Sequence, residues 1–363
     1  MRGKFRKIWD DMSLKAESLY RKYSYIKKAK IRLKRMHGGF NCDKEYKEIV
    51  VPYWKKYGYK PAKFWYQLFS DREKKVDPRY IPDDLYYGEL IPYFCNSSFR
   101  RFGEDKCYHY LWIKNIKRPK TVCKNIAGVY YTGDDIPSCR EDAVKAILSS
   151  DTDLILKPSI DSGEGRCIHF LSKGSLDNQS LECLLDEMKA NYIAQEIVIQ
   201  HPDLAKFNPT SVNTIRVVTF LLDNNVYVLS TILRIGALNS KVDNIGAGGF
   251  ACPIKKDGRL SDKAVNRKAE WVEANDAGIK FADNCIPEFD KVVELVKNAH
   301  KMLPHFKIIG WDMTVDTDNQ PIVIEFNTCP GSNQITCGPT FGDLTDKVLE
   351  EYFITRTLEY AQN

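Results

Sequence analysis

Residues 310–315, Gly-Trp-Asp-Met-Thr-Val, and residues 322–327, Ile-Val-Ile-Glu-Phe-Asn, decide the fold that we expect of this chain. Both segments are apolar and of strand length, and the polar residues between them predict a turn, so together they predict a β-hairpin. Period two along a strand puts Glu325 and Asn327 on one face of the second strand. The partner strand can bring Asp312 alongside them.

These three side chains predict a magnesium site. Two carboxylates and an amide oxygen are hard oxygen donors, the set that suits Mg²⁺ bridging nucleotide phosphates. The alternative is a solvent-facing polar edge strand. Both strands are otherwise apolar, however, and burying two unpaired carboxylates would be costly. We therefore expect Asp312, Glu325 and Asn327 to be metal ligands.

An upstream segment predicts a phosphate-binding loop. Residues 153–157 form a short apolar strand that ends in Lys157, and residues 167–171 are its predicted hairpin partner. The loop between them contains Ser159–Gly165, whose two glycines let backbone N–H groups approach a polyphosphate. Lys157 can add one positive charge. An ordinary flexible hairpin loop is the alternative, and the Walker pattern is absent.

Two arginines interrupt apolar strands further along. Arg216 lies in the strand 214–222 and Arg234 in the strand 227–235, so each is expected to point into a cleft and grip phosphate or carboxylate. Outward-facing charges on a half-exposed sheet are the alternative. Small residues in 244–249, Asn-Ile-Gly-Ala-Gly-Gly, allow close backbone approach to a ligand, with a mobile surface loop as the alternative.

A Pro-Gly turn follows the second strand of the hairpin. Pro330-Gly331, leading into Ser332 and Asn333, can aim N–H groups at a developing oxyanion. Cys329 beside it is expected to be structural, because no His in the sequence is placed to activate it.

The remaining pattern predicts an α+β protein with mostly antiparallel hairpins packed on helices. Residues 1–36 are helical in pattern, and residues 40–100 are rich in aromatics and prolines. We expect three parts: a helical, basic and aromatic region at 1–99, a part with the phosphate loop at 100–199, and a part with the metal site at 200–363. Further predicted helices cover residues 105–116, 140–149, 181–190, 289–302 and 343–361; further predicted strand segments are 121–131 and 192–199.

Charge is distributed unevenly. The net charge of +6 contains a surplus of ten in residues 1–36, where 13 Lys/Arg face 3 Asp/Glu; the remainder carries 41 Lys/Arg and 45 Asp/Glu. We expect this helix to pack on its own domain; a basic, aromatic helix can also lie on an anionic membrane surface. Nucleic-acid binding is not expected, since no recognition motif accompanies the charge.

Cysteine usage and hydropathy favour a cytoplasmic protein. The 11 cysteines are odd in number and form no C-x-x-C pair, so reduced thiols are expected. No apolar run approaches the ~20 residues that span a bilayer, and the N-terminus lacks the apolar core of a secretory signal. The basic segment leaves a peripheral position on the inner face of the membrane open.

In this order, the motifs resemble the ATP-grasp superfamily over roughly residues 100–360. Asp312, Glu325, Asn327 and the 330–331 turn look like the magnesium motif of D-alanine–D-alanine ligase and its relatives. Residues 213–219, with Asn244 and Gly248-Gly249, are similar to the sugar-transfer-associated ATP-grasp group of bacterial polysaccharide clusters. The resemblance implies two α+β subdomains that enclose ATP with Mg²⁺.

The resemblance also implies roles for individual residues. Lys106 and Lys157 match the two nucleotide-binding lysines, and 159–165 matches the mobile phosphate lid. His201 and Asp203 would approach the ribose, with a plain turn as the alternative. The cofactor-binding positions are Lys106, Lys157, Ser159, Ser162, Gly163, Gly165, the adenine hinge Gln195, Glu196, Ile197 and Val198, and Asp203; the catalytic positions are Arg216, Arg234, Asn244 and Gly331.

One position departs from the family pattern. D-alanine ligase-like proteins carry an Arg two residues before the first metal Asp, where this chain has Gly310. The oxyanion role then falls on Arg234, Arg216 or the Gly331 turn.

We therefore expect an ATP-dependent carboxylate-amine ligase that works through an acyl phosphate. By resemblance, its substrates are an amino acid and a sugar carboxylate or amino sugar, lipid-linked in one reading, in cell-surface polysaccharide biosynthesis. A small-molecule kinase on the same fold and a non-catalytic nucleotide-binding scaffold are the alternatives.

Overall fold

The chain folds into two antiparallel β-sheets with helices packed around them, in a computed structural model that describes residues 2–160 and 167–355. Thirteen strands lie within these residues: β1 (Thr121–Ile126), β2 (Val129–Thr132), β3 (Pro137–Ser138), β4 (Leu154–Pro158), β5 (His169–Leu171), β6 (Tyr192–Glu196), β7 (Thr214–Leu222), β8 (Asn225–Ile235), β9 (Phe250–Pro253), β10 (Ala264–Asn266), β11 (Trp271–Val272), β12 (Ile308–Val315) and β13 (Pro321–Asn327).

The helices fall mainly before and between the strands. Those in the described residues are α1 (Arg2–Arg35), α2 (Asp43–Glu45), α3 (Val51–Lys55), α4 (Lys63–Phe69), α5 (Asp83–Leu85), α6 (Ile91–Phe94), α7 (Ser97–Gly103), α8 (His109–Trp112), α9 (Arg140–Leu148), α10 (Asn178–Met188), α11 (Pro202–Ala205), α12 (Phe289–His300), α13 (Gln334–Cys337) and α14 (Thr345–Glu350). Single π-turns join α2 to α3 and α5 to α6. None of the helices in these residues combines the length and the apolar character needed to cross a bilayer.

The larger sheet has seven strands in the order β11-β10-β9-β8-β7-β12-β13. Every residue of β12 is buried, because the strand lies between β7 and β13 and carries large apolar side chains such as Trp311 and Met313. The register places Asp312 opposite Arg216 on β7 and opposite Glu325 on β13. Three charged side chains therefore stand in one row across the sheet.

The smaller sheet has six strands in the order β3-β2-β1-β6-β4-β5. The short hairpin of β4 and β5 stands at one edge, and β6 pairs with β4 so that Lys157 lies opposite Ile193. Helices α9 and α10 cover this sheet, and its core runs from Cys123 to Ala194.

The larger sheet shares its core with the N-terminal region. One continuous apolar cluster extends from Ala29 and the tryptophans Trp54 and Trp65 through Trp311 to Tyr352. Residues 1–99 thus lack a core of their own in the described structure and cover the seven-stranded sheet. All 11 cysteines are free thiols.

The predicted α+β architecture is confirmed, including both hairpins that carry the charged residues. The helix predicted at 105–116 is shorter, because a 3₁₀ turn at Lys106–Tyr108 precedes α8. The last helix begins at Thr345 and continues as a π-turn to Thr355, and residues 356–363 lie outside the described residues.

Candidate functional site

A cleft of about 1070 Å³ is lined by residues of both sheets. It brings together most of the side chains that the sequence singled out. These are Lys106, Lys157, Gln195, Glu196, Ile197, Val198, Arg216, Arg234, Asn244, Asp312, Glu325, Asn327 and Gly331.

Three residues that the sequence singled out do not line this cleft, namely Ser159, His201 and Asp203. The backbone of Ser159 is already engaged, since its N–H donates to the Asn191 carbonyl at 2.7 Å and its carbonyl accepts the Lys106 N–H at 3.0 Å. Asp203 is exposed at the start of α11, where it pairs with Lys206 at 3.0 Å. The plain turn role therefore fits Asp203. Ser162, Gly163 and Gly165 lie outside the described residues.

Asp312 is held by two arginines in the middle of the larger sheet. Arg216 grips both of its oxygens, with Nε 2.5 Å from Oδ1 and Nη2 2.8 Å from Oδ2. Arg234 adds Nη1 at 3.4 Å from Oδ2. Burial opposes the charge of Arg216, but Asp312 more than offsets it, so the pKa of Arg216 lies above its usual value. Arg216 therefore stays ionised.

Glu325 faces the two lysines instead. Its Oε2 lies 3.3 Å from the Lys106 Nζ. Burial alone would raise the pKa of Glu325, but the charges of Lys106 and Lys157 hold it well below its usual range. Lys157 is buried and makes no ion pair with any described residue, and burial lowers its pKa to about 8. A buried cation without a partner, in the wall of a cleft, is suited to receive an anion.

Asp243 completes the cluster and was missed by the sequence analysis. It accepts a hydrogen bond from the Thr214 hydroxyl and pairs with Arg234 Nη2 at 3.0 Å. Burial raises its pKa. The only signal in the sequence is that Asp243 directly precedes Asn244. Both lie in a loop, and rules based on residue spacing do not predict the path of a loop.

Together these residues form the charge cluster, defined as Lys106, Lys157, Arg216, Arg234, Asp243, Asp312 and Glu325. Its four cations and three carboxylates leave a formal charge of +1. The described residues hold no group of three or more His, Cys, Asp or Glu with metal-binding geometry. This donor set therefore does not suit a bare cation, and it suits a cation that arrives with a polyanion.

Asn327 lies next to this cluster on β13. Its Nδ2 is buried and makes no hydrogen bond to the described residues. Gly310 is its partner in the register, and Glu325 lies two residues before it on the same strand face. Oδ1 of Asp312 has one arginine contact and keeps a second lone pair, whereas Oδ2 contacts both arginines. Asp312, Glu325 and Asn327 therefore fit a Mg²⁺ site whose other ligands are phosphate oxygens.

The hinge of residues 195–198 leaves one donor open. The N–H groups of Glu196 and Ile197 donate to the carbonyls of Lys120 at 2.9 Å and Asp153 at 3.0 Å. The N–H of Val198 makes no hydrogen bond to another described residue. The side chain of Glu196 turns away to pair with Lys120 at 2.8 Å.

Gly310 explains the departure from the family pattern. A Cβ at this position would lie 2.6 Å from the Cβ of Pro330, well inside the van der Waals limit. The turn after β13 folds back against β12, and no side chain fits between them. An arginine cannot occupy this position in the present fold.

That turn is fixed by the N-terminal region. Tyr87 accepts the Ser332 N–H at 3.0 Å, and the buried carboxylate of Asp83 accepts the Ser332 hydroxyl at 2.8 Å. Ser332 therefore cannot give its N–H to an oxyanion. The N–H of Gly331 makes no hydrogen bond to the described residues and remains the donor that this turn offers.

The glycine-rich loop has a structural explanation. A Cβ on Gly249 would lie 2.3 Å from the Ile235 carbonyl oxygen, so the close backbone approach is to β8 and not to a ligand. Asn244 lines the cleft, and its Oδ1 accepts the Gly246 N–H at 2.9 Å.

Two tyrosines of the N-terminal region also line the cleft. Tyr25 of α1 and Tyr87 stack with ring centroids 3.7 Å apart and planes 6° apart. No spacing rule connects α1 with β13, about 300 residues later in the chain, so the sequence analysis did not place them here.

Comparisons with known proteins agree with this architecture. A family model described as sugar-transfer associated ATP-grasp matches residues 104–348. No curated protein sequence matches the chain.

Similar solved structures include three whose identity is low. An L-amino acid ligase from Bacillus licheniformis is 12% identical, covering 87% of this chain and 62% of its own, with a TM-score of 0.41. D-alanyl-alanine synthetase A from Vibrio cholerae O1 biovar eltor is 10% identical, covering 70% of this chain and 65% of its own, with a TM-score of 0.40. N5-carboxyaminoimidazole synthetase from Staphylococcus aureus, complexed with ADP, is 11% identical, covering 66% of this chain and 51% of its own, with a TM-score of 0.39. The chain spans less than two thirds of each of these structures.

Proposed function

The chain belongs to the sugar-transfer associated ATP-grasp family, and on this basis we propose that it is an ATP-dependent ligase that joins a carboxylate to an amine. A carboxylate oxygen would attack the γ-phosphorus of ATP and release ADP. The amine nitrogen would then attack the acyl carbon, and phosphate would leave with the former carboxylate oxygen. No enzyme nucleophile takes part.

The observation that carries this proposal is the charge cluster. Lys157 is buried, makes no ion pair with a described residue and lines the cleft, and the cluster as a whole has one cation more than it has carboxylates. Such a site is incomplete without an anion, because an uncompensated buried charge is costly. A nucleotide triphosphate supplies that anion.

Magnesium fits the same site. Asp312, Glu325 and Asn327 would hold it on the face shared by β12 and β13. When bound there, the ion would offset negative charge during phosphoryl transfer. The protein's own contribution is to hold the carboxylate of Asp312 through Arg216 and the carboxylate of Glu325 through Lys106.

The backbone of residues 195–198 indicates where the adenine of ATP would bind. Val198 has the free N–H in residues 195–198, so we assign it the hydrogen bond to the base. Ile155 and Ile324, which line the cleft from opposite sheets, would provide apolar contacts to the ring. Lys106 and Lys157 would then contact the phosphates.

We assign the oxyanion role to Arg234. Arg216 is committed to Asp312 through two short contacts, whereas Arg234 makes one contact to each of two carboxylates. Its guanidinium can therefore turn toward a substrate with less loss. The N–H of Gly331 is a second donor for the same charge.

The substrates rest on the family description alone. We propose an amino acid as one partner and a sugar carboxylate or an amino sugar as the other, in the assembly of a cell-surface polysaccharide. The description "sugar-transfer associated" supports the sugar.

The test is an ADP-release screen of the full chain with Mg²⁺ and ATP against pairs of amino acids and uronic-acid or amino sugars. Hydroxylamine replaces the amine in a second assay, since an acyl phosphate yields a hydroxamate and a phosphorylated hydroxyl does not. We expect hydroxamate that depends on the carboxylate. ADP release without hydroxamate would indicate a kinase, and nucleotide binding without ADP release would indicate a scaffold.

Glu325→Gln keeps the size of the side chain and removes its charge. We expect turnover to fall on the order of 100-fold or more, because this carboxylate holds Lys106 and the proposed Mg²⁺. Glu350→Gln makes the same chemical change at an exposed position of α14 and should leave turnover unchanged. Equal activity in both variants would remove the assignment of Glu325.

A further inference from the structure

Helix α1 has an inner face that holds it on the protein. Ser18 donates its hydroxyl to the Gly88 carbonyl at 2.6 Å, and Lys22 pairs with Glu89 at 2.5 Å. Ala29 and Leu33 are buried in the main core. These positions follow the i, i+4, i+7 spacing of one helix face, so the orientation of α1 about its axis is fixed over residues 18–33.

The opposite face of α1 is apolar and exposed. Met12, Leu19, Tyr20 and Tyr23 are 60–73% exposed, and Ile31 is 46% exposed. Positions 12, 19, 20 and 23 lie on one stripe of a 3.6-residue helix. A row of large apolar side chains in water indicates a surface that another body covers. Nothing in the described chain covers it.

The same face is basic. Lys27, Lys30 and Lys34 are exposed and make no ion pair with a described residue. Residues 1–36 carry a surplus of ten positive charges, whereas the remainder of the chain has a balance of −4. Acidic side chains of the described residues therefore do not neutralise these lysines.

We propose that this outer face of α1, defined as Met12, Leu19, Tyr20, Tyr23 and Ile31 with Lys27, Lys30 and Lys34, docks on an anionic lipid bilayer. Apolar side chains enter the boundary of the acyl chains, and lysines extend their ammonium groups to the headgroups. The negative surface potential of anionic lipids attracts the unpaired charge.

A bilayer fits this surface better than other occupants do. A second copy of the chain would bring the same uncompensated lysines face to face, and like charges repel. A purely polar polyanion would satisfy the lysines and leave the tyrosines, Met12 and Leu19 in water. An anionic lipid surface accommodates both kinds of side chain.

Docking in this way also orients the cleft. Tyr25, on the inner side of the same helix, lines the cleft next to the 330–333 turn. One helix diameter, about 10–12 Å, then separates that end of the cleft from the membrane. If the proposed ligase function holds, a carboxylate or amine attached to a lipid reaches the site without leaving the bilayer.

The experiment is co-sedimentation of the full chain with vesicles of phosphatidylcholine alone and with one third phosphatidylglycerol. We expect at least tenfold stronger partitioning to the anionic vesicles. Leu19→Glu/Tyr23→Glu and, separately, Lys27→Glu/Lys34→Glu should each reduce it at least tenfold, since one charge near the surface changes binding on the order of fivefold. Both pairs are exposed, so circular dichroism should be unchanged.

Matched controls separate position from chemistry. Val129→Glu/Ile136→Glu and Lys145→Glu/Lys268→Glu alter exposed residues of the same kind elsewhere and should bind vesicles as the parent chain does. Equal partitioning to neutral and anionic vesicles would overturn the proposal. So would a concentration-dependent dimer in light scattering that Tyr23→Glu abolishes. Because vesicle binding needs no turnover, its result is independent of the ligase assignment.

Discussion

At the scale of single residues, one hydroxyl fixes the turn that follows β13. Tyr87 and Ser332 are both buried, and the Tyr87 oxygen is the acceptor for the Ser332 N–H. Without it, the turn keeps its backbone N–H buried and unsatisfied, which costs about 1–3 kcal/mol. The Gly331 N–H beside it would lose its fixed direction.

We therefore expect Tyr87→Phe to lower the free energy of unfolding by about 1–3 kcal/mol. It should lower kcat about tenfold, because a donor that is loosely held stabilises an oxyanion less well. The KM for ATP should change little, since Val198 and Lys157 are untouched. Tyr23→Phe, which removes an exposed hydroxyl, is the control for denaturation and steady-state kinetics. An unchanged kcat in Tyr87→Phe would contradict this role.

At the residue level, the sequence predicts the position of a side chain where strand periodicity governs it. Asp312, Glu325 and Asn327 follow from period two and a hairpin, and Arg216 follows from its place in a strand. Asp243 lies in a loop without a period, so its meeting with Arg234 depends on a path that local rules do not define. Tyr87 meets Ser332 across 245 residues, and only packing of the whole chain determines that contact.

At the scale of elements, a buried polar chain ties α12 to the larger sheet. Trp311 Nε1 on β12 donates to the Thr219 hydroxyl on β7 at 2.8 Å. The Phe306 carbonyl, 2.8 Å from His300 Nε2, can only accept, so that nitrogen carries the proton. His300 Nδ1 then accepts from Thr219 at 2.6 Å. The ring is therefore held neutral.

This network predicts acid sensitivity. Burial lowers the pKa of His300 to about 4, below its usual value of 6.5. Because the unfolded chain takes up the proton first, stability is full above pH 6.5 and falls as the pH approaches 4, by about 3 kcal/mol for this group. Urea denaturation at a series of pH values measures it.

His300→Gln should be less stable at pH 7 and should lack this part of the acid slope. His305→Gln, at an exposed position, should keep the slope of the parent chain. Parallel pH profiles for His300→Gln and the parent chain would show that another group is responsible.

Elements with local patterns were the easiest to predict. The hairpins of β7 with β8 and β12 with β13 join neighbouring segments, and α1 is long enough for its period to be plain. The short helices between residues 43 and 94 have no such repeat. Tertiary contacts to the larger sheet, not helix propensity, hold turns of this length.

At the scale of the whole molecule, the surplus cation of the charge cluster predicts that Mg²⁺ binds only together with a nucleotide. We expect Mg²⁺ alone to leave Tm unchanged and Mg²⁺ with ATP or ADP to raise it by several degrees, about 2.7 kcal/mol of stabilisation at 100 times Kd. Calorimetry of the full chain tests this. Ca²⁺-free buffers with EDTA provide the nucleotide-only arm, where a smaller rise is expected. A rise with Mg²⁺ alone would refute the charge argument.

The two apolar cores of the molecule do not follow the order of the segments along the chain. The smaller sheet has its own core between Cys123 and Ala194, whereas the core around Trp311 draws on residues before and after it. Composition predicted a distinct first hundred residues, but only the packing reveals that they cover the seven-stranded sheet.

That shared core has a consequence for synthesis on the ribosome. Arg79 pairs with Asp343 at 2.8 Å, and the Ile81 N–H donates to Gln334 at 2.7 Å. These residues are therefore synthesised more than 250 positions before the residues that they contact. At about 5–20 residues per second, the delay is about 10–50 s. During that time the seven-stranded sheet has not yet formed, so the tryptophans and tyrosines of the emerging chain are exposed to solvent. They form an apolar surface of the kind that nascent-chain chaperones bind.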